Sequence, residues 1–224
     1  VRRVRAEAAG PVRLRVDGLS LPAEDAQGTA LRDVAFELSA GEILGVAGVA
    51  GEGQDELFAA LSGERPARAE AILLEGAPIG GEEIAARRRA GAAFVPEERL
   101  GHAAAPRMAL SENALVAGHA ANGFVSRGFV RRGRLLGWVD AVTRAFDVRK
   151  GPRDPEARAL SGGNLQKFVV GREILRKPRL LVVSQPTWGV DAGAASLIRQ
   201  ALLDLAADGA AVLVISQDLD ELLE

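Results

Sequence analysis

The stretch that decides the fold runs from Leu160 to Asp191: Leu160-Ser161-Gly162-Gly163-Asn164, followed by LQKFVVGREILRKPRLLVVSQPTWGVD. Ser161 is a helix-capping residue type, and the residues after the two glycines suit a helix to about Arg176. Leu180 to Val183 is then a short, uniformly apolar run, as expected for a strand buried on both faces. Pro186, Thr187 and Gly189 break the chain before a further helix expected over Ala192 to Ala207. A capped helix feeding a buried strand, a turn and a second helix is a repeating unit of an α/β fold with a mostly parallel sheet.

The same pattern continues outward. Ala211 to Ile215 reads as another buried strand, with a helix starting at Asp218. Upstream, Ile43-Leu44-Gly45-Val46-Ala47 is apolar and runs into glycines, then into the helical spacing of Leu57, Phe58 and Leu61. Ala71 to Leu74 and Ala92 to Val95 read as strands, the latter stopped by Pro96, with a helix over Glu82 to Arg89 between them. Val12 to Leu19 and Leu31 to Leu38 alternate instead, with Leu31, Val34 or Phe36, and Leu38 on the apolar face; joined by the turn-rich PAEDAQGTA, they predict an N-terminal antiparallel β-layer. From Glu97 to Ala159 the pattern is helical and irregular, with Ser111 and Glu112 opening one helix and Trp138, Val142, Ala145 and Phe146 marking the apolar face of another. The expectation is one domain over residues 1–224, with 97–160 an inserted helical subdomain. The closing DLDELLE stops in mid-helix, so the chain is expected to be a fragment of a longer one. Arg127, Arg131, Arg132 and Arg134 read first as a solvated helix face, then as a protein-contact patch, with nucleic acid last.

Composition bounds the chemistry. The 224 residues are 48% hydrophobic, enough for a sizeable core, and 28 basic against 30 acidic residues leave a net charge of −2. No global field therefore recruits nucleic acid or an anionic membrane, and any anion must be bound locally. The absence of cysteine excludes disulfides and thiolate metal sites. No apolar run approaches the ~18 residues needed to span a bilayer, and VRRVRAEAAG is followed by no signal-type apolar core, so a cytoplasmic location is the expectation. The only lysines are Lys150, Lys167 and Lys177, the only histidines His102 and His119, and there is no tyrosine.

Gly48, Gly51 and Gly53 lie between a predicted strand and a predicted helix, where closely spaced glycines let backbone N–H groups converge on phosphate oxygens. In the full motif G-x-x-x-x-G-K-[ST], lysine reaches the β- and γ-phosphates and the hydroxyl ligates Mg²⁺. Here those positions hold Gln54 and Asp55. Glutamine donates a hydrogen bond but no charge, and unit charges 4 Å apart interact by about 4 kcal/mol at an effective dielectric of 20. Nucleotide affinity is expected to fall substantially. Asp55 both repels phosphate and offers an oxygen ligand to Mg²⁺, and Glu52 adds a second acidic group. Ser161, Gly162 and Gly163 offer a hydroxyl and unobstructed N–H groups at a helix start, and Asn164 an amide donor.

These motifs together, with FVPEER and GEGQDEL, resemble the ATP-binding cassette (ABC) proteins, and the resemblance covers nearly the whole chain. It is closest to the second cassette of tandem ATPases that energise bacterial import of nucleosides or simple sugars, on the nucleoside side. It implies an ABC-type P-loop NTPase core, in which one cassette's signature caps nucleotide held by another. Leu160 to Asn164 is then the signature, and Asp191 lies in the loop that crosses between paired cassettes, or caps the following helix, or both. The resemblance also implies that Ser184 and Gln185 replace the metal-associated aspartate and catalytic glutamate, Gln217 the switch histidine, and Glu97 a glutamine. No aromatic residue lies between Val12 and Leu31, where family members often stack adenine. Trp188, where relatives often carry a small or basic residue, is either a buried anchor or an interface contact.

What the resemblance implies is a cassette whose own site hydrolyses ATP negligibly and whose signature completes a partner's ATP and Mg²⁺ site. Its partners are the N-terminal cassette of the same polypeptide, transmembrane permease subunits and, indirectly, an extracytoplasmic solute-binding protein, with no nucleic acid. Its place is peripheral, on the inner face of the cell membrane. Two alternatives stand beside it: a nucleotide-gated interaction module unlinked to transport, and an autonomous P-loop ATPase that takes its lysine from elsewhere.

Overall fold

The computed structural model describes residues 2–5, 10–24, 28–118, 123–151 and 153–218; His119 and the helix expected after Asp218 fall outside them. Packing divides the chain into a first unit of Val1–Phe94, Pro178–Gln185 and Leu202–Glu224 and a second of Val95–Lys177 and Pro186–Ala201. Strands β1 (Arg2–Arg5), β2 (Val12–Leu21), β3 (Leu31–Ser39) and β4 (Glu42–Ala47) lead to helix α1 (Gln54–Ser62). Then come β5 (Ile72–Leu74), β6 (Ala77–Pro78), α2 (Ile84–Arg89) and β7 (Ala92–Val95). The second unit holds α3 (Leu110–Gly118), the hairpin β8 (Val125–Ser126) and β9 (Phe129–Val130), α4 (Arg132–Ala145) and α5 (Gly162–Ile174). Strand β10 (Leu180–Ser184), helix α6 (Ala192–Ala207) and β11 (Ala211–Ser216) follow, and short 3-10 turns stand at Ala69–Ala71 and Ala157–Ala159.

In the first unit β1, β4, β11, β10 and β7 form one sheet in that order. The pairings β4–β11 and β10–β11 are parallel, and every residue of β10 and β11 is buried, which accounts for their unbroken apolar runs. Strand β1 adds antiparallel to β4, pairing Arg2 with Gly45 and Arg5 with Glu42. Its charged sequence hides a strand from any apolar-pattern search, and charge is what edge strands tolerate.

The second sheet, β3-β2-β5-β6, is antiparallel, as the alternation predicts. Leu19 pairs with Val34 but Leu21 with Leu31, so β3 carries an extra residue there; Asp33, at φ 50°, supplies the bulge. That bulge reconciles the three-residue step from Leu31 to Val34 with the two-residue steps to Phe36 and Leu38. The core joins both sheets to α1, through Leu14, Leu38, Leu44, Phe58, Leu61, Ile72, Phe94, Val182 and Leu213.

Helix α2 starts at Ile84, two residues later than its pattern suggests, because Glu83 is held extended as its N-cap residue. Its Arg87 is fully buried and donates Nη1 to the carbonyls of Ala60 (2.6 Å) and Leu61 (2.8 Å), Nη2 to Gly80 (2.8 Å) and Nε to Glu82 (2.8 Å). It thus satisfies orphan carbonyls at the C-terminus of α1, which has no basic residue in its own last turn. Burial pulls its pKa down to about 10, leaving it charged at neutral pH.

The second unit is helical apart from its short hairpin. Arg127 (φ 51°) and Gly128 (φ 80°) form the two-residue turn of β8–β9, a connection of the type that favours left-handed residues. Buried polar groups fix the helices. Asn113 accepts from Ala105 N–H (2.7 Å) and donates to the carbonyls of Met108 (3.0 Å) and Ala109 (3.1 Å). Asp154 accepts from the Ser111 hydroxyl (2.6 Å) and N–H (3.0 Å). On α5, fully buried Glu173 accepts from Arg172 Nε (2.9 Å) and Arg176 Nη1 (2.8 Å), and these arginines reach the carbonyls of Ala103 (3.1 Å) and Ala117 (3.1 Å).

Candidate functional site

In the first unit the register places Ala47 beside Ser216 and Ile215 beside Ser184. The carboxyl ends of β4, β11 and β10 therefore lie side by side, the edge of a parallel sheet where α/β folds bind ligands. The loop from Gly48 to Gly53 leaves β4 at this edge and enters α1. Gly51 (φ 85°) and Gly53 (φ 102°) take left-handed conformations that ordinary residues resist. Gly53 caps α1 without a side-chain hydrogen bond, leaving the helix's first N–H groups directed at the loop.

Gln54 is half-buried and its amide folds back over the loop, so close to Gly48 that a Cβ there would collide with Nε2. Asp55 and Glu52 are exposed. Thr29 braces the loop from outside it, its hydroxyl donating to the Gly51 carbonyl (2.6 Å) and its N–H to Glu56 Oε1 (2.8 Å). Nothing in the turn-like sequence around Thr29 signals this contact.

At the other strand ends, Ser184 and Gln185 are buried, and Gln217 is exposed. Gln185 holds φ 50° and donates its N–H to the Ile215 carbonyl (2.8 Å). Glu97, exposed, belongs to the second unit. Among the described residues, no three His, Cys, Asp or Glu side chains converge as a metal site. The groups that the sequence singles out as oxygen donors for Mg²⁺ are the exposed Asp55 carboxylate and the buried Ser184 hydroxyl. Among these residues, too, no helix is long and apolar enough to cross a membrane.

The signature residues lie in the second unit at the start of α5. Ser161 is the N-cap residue, and its Oγ accepts from both Asn164 N–H (3.4 Å) and Asn164 Nδ2 (2.9 Å). The hydroxyl keeps its one O–H donor, for which no acceptor is seen among the described residues. Asn164 is itself oriented by Arg149 N–H, donated to its Oδ1 (2.8 Å). One of the two N–H groups on Asn164 Nδ2 is thus engaged with Ser161, and the second keeps the donor capacity that the sequence suggests. Ser161 and Gly162 are exposed, while Leu165 to Ile174 are buried and rigidly placed.

The loop from Pro186 to Asp191 packs against this helix start. Gln166 Nε2 donates to the Pro186 carbonyl (2.9 Å), and Val190 stands in contact range of Gly163. Asp191 caps α6, accepting Ala194 N–H at Oδ1 (2.9 Å), and that bond holds its carboxyl below the ordinary range. The capping role of Asp191 is thus in place. Trp188 is 65% exposed, which rules out the buried anchor, and its carbonyl accepts from Arg99. Arg99 ends the run FVPEER, whose spacing gives no sign of this contact.

The ABC transporter family model matches residues 31–188. Among curated relatives, the ribose import ATP-binding protein RbsA 1 of Rubrobacter xylanophilus is 39% identical over 193 residues, 86% of this chain and 38% of the relative. The glucose import ATP-binding protein TsgD13 of Haloferax volcanii is 38% identical over 197 residues, 87% of this chain and 36% of the relative. The guanosine import ATP-binding protein NupO of Bacillus subtilis is 34% identical over 222 residues, 98% of this chain and 43% of the relative. The chain thus spans well under half the length of these relatives. A dimeric bacterial ABC transporter cassette superposes with a TM-score of 0.78 at 16% identity, over 93% of this chain and 89% of that one. At that identity the likeness speaks to fold, and it agrees with the parallel sheet and antiparallel layer seen here. With the model match covering most of the chain, this protein belongs to the ABC transporter family, as an ATP-binding cassette related to importer ATPases for sugars and guanosine.

Proposed function

We propose that this cassette is the second half of a tandem importer ATPase and acts by completing the ATP site of the first half. The observation that carries the proposal is the contrast between its two constellations. Ser161 presents a hydroxyl, oriented by Asn164, at an exposed helix start, whereas Gln54 folds an uncharged amide over the loop where a lysine would meet phosphate. The partner cassette would hold ATP and its Mg²⁺, and Ser161 with the N–H groups of Gly162 and Gly163 would cap the γ-phosphate. Asn164 sets the Ser161 hydroxyl, and the loop bearing Asp191 crosses to the partner.

In the first unit, Gln185 has no carboxylate to act as base and Gln217 no imidazole to meet a γ-phosphate. Autonomous hydrolysis is accordingly negligible. Closing and opening of the two halves would move permease subunits on the inner face of the membrane through residues 97–160, the inserted helical subdomain. The solute, delivered by an extracytoplasmic binding protein, would be a nucleoside or simple sugar, in keeping with the names of the relatives.

Steady-state ATP turnover of the full-length tandem protein with its permease tests this division. Ser161→Ala should lower turnover about 10²-fold, the usual loss for one preorganised donor. Gln54→Ala should change it less than about threefold, since the amide it removes carries no charge. The reverse order of effects would overturn the proposal.

A further inference from the structure

Arg99 is half-buried between the signature and the crossing loop. Its Nη2 donates to the Trp188 carbonyl. A Cβ at Gly162 would stand 2.9 Å from Nη1, and one at Gly189 3.1 Å from Nη2, so glycine at both positions leaves the guanidinium its place. Among the described residues no carboxylate pairs with it. Partial burial already disfavours its charged form. Its neighbour is the positive end of α5, where a cation gains nothing from the helix dipole. A guanidinium with one carbonyl partner and donors to spare, kept at such a place, matches an anion that arrives from outside.

We propose that Arg99 is a nucleotide-contacting residue of the composite site, its guanidinium engaging the terminal phosphate of the ATP held by the partner cassette. The inference rests on the signature reading above and adds to it a positive side chain beside Gly162. The phosphate loop of this cassette lacks a lysine, whereas an arginine stands beside its signature. The terminal phosphate therefore meets a charge-assisted donor as well as the neutral Ser161 hydroxyl.

The test uses the full-length tandem protein, with ATP turnover and the affinities for ATP and ADP measured for Arg99→Gln, Arg99→Lys and Ser161→Ala. Glutamine keeps a donor for the Trp188 carbonyl but removes the charge. Arg99→Gln is expected to lower kcat/KM for ATP about 10²-fold, with Arg99→Lys within about tenfold of the native value because its charge is retained. ADP affinity should stay unchanged in both, as ADP has no terminal γ-phosphate to lose. Native turnover in Arg99→Gln with Ser161→Ala impaired would overturn the role of Arg99 and spare the signature reading. Equal losses in the glutamine and lysine variants, with ADP affinity falling alongside, would make Arg99 a support for the Trp188 loop and overturn its contact with phosphate. Native turnover in all three would overturn the signature reading together with the inference.

Discussion

Gly162→Asp should lower ATP turnover by the full-length protein about 10³-fold while leaving the fold intact. Gly162 is the first residue of α5 and is exposed, with no left-handed conformation to forbid a side chain. A carboxylate there would face the γ-phosphate that the signature is proposed to cap. Like charges about 4 Å apart at an effective dielectric of 20 cost about 4 kcal/mol, which corresponds to roughly three orders of magnitude in rate. The new side chain would also reach Arg99, whose Nη1 lies 2.9 Å from the Cβ position, and draw its charge away from the nucleotide. An acidic residue in the first turn of a helix is otherwise favourable, so thermal stability should hold or rise slightly. Turnover and thermal midpoint measured on the same preparation separate the two effects, and a fall in both would point to a structural lesion instead.

The second large effect is on stability. Glu173→Ala should destabilise the cassette by about 3–5 kcal/mol, the range found when one partner of a buried ion pair is removed. Glu173 is fully buried and holds Arg172 and Arg176, whose side chains are only 4% and 5% exposed. Without it two guanidiniums remain in the interior of the unit that carries the signature. For a chain of this size the thermal midpoint should drop by roughly 10 °C. Glu173→Gln keeps a hydrogen-bond acceptor and should lose less, so differential scanning of both variants checks that the charge matters. A midpoint unchanged in Glu173→Ala would show that the arginines find other partners.

What the sequence made legible follows from how strongly each element depends on local pattern. The strands Leu180–Ser184 and Ala211–Ser216 are buried along their whole length, so their apolar runs leave little ambiguity. Ser161 followed by two glycines marks the start of α5 to the residue, because its side chain caps the helix it precedes. Strand Arg2–Arg5 is illegible for the opposite reason: its identity lies in backbone pairing with Glu42–Gly45, which charged residues do not advertise. The hairpin Val125–Val130 lies within a stretch whose pattern reads as helical, although Val-Ser-Arg-Gly-Phe-Val has alternation and a glycine at its turn.

The site divides in the same way. Motif spacing finds Gly48, Gly51, Gly53 and Ser161 because their backbone roles demand particular residue types. It finds neither Thr29 nor Arg99, which reach the loops from 22 and 89 residues away in the chain. Arg87 shows the limit plainly. In Arg87-Arg88-Arg89 only the first is fully buried, and only the fold reveals which carbonyls it serves.

One ATP should be hydrolysed per pair of cassettes, at the site this chain completes and not at the one its own phosphate loop forms. Vanadate traps ADP at a catalytically competent site, so the amount trapped per full-length polypeptide reports how many sites hydrolyse ATP. One ADP per polypeptide is expected, lost when the partner cassette's phosphate-loop lysine or Ser161 is replaced and retained in Gln54→Ala. Two ADP per polypeptide, or trapping abolished by Gln54→Ala alone, would contradict it.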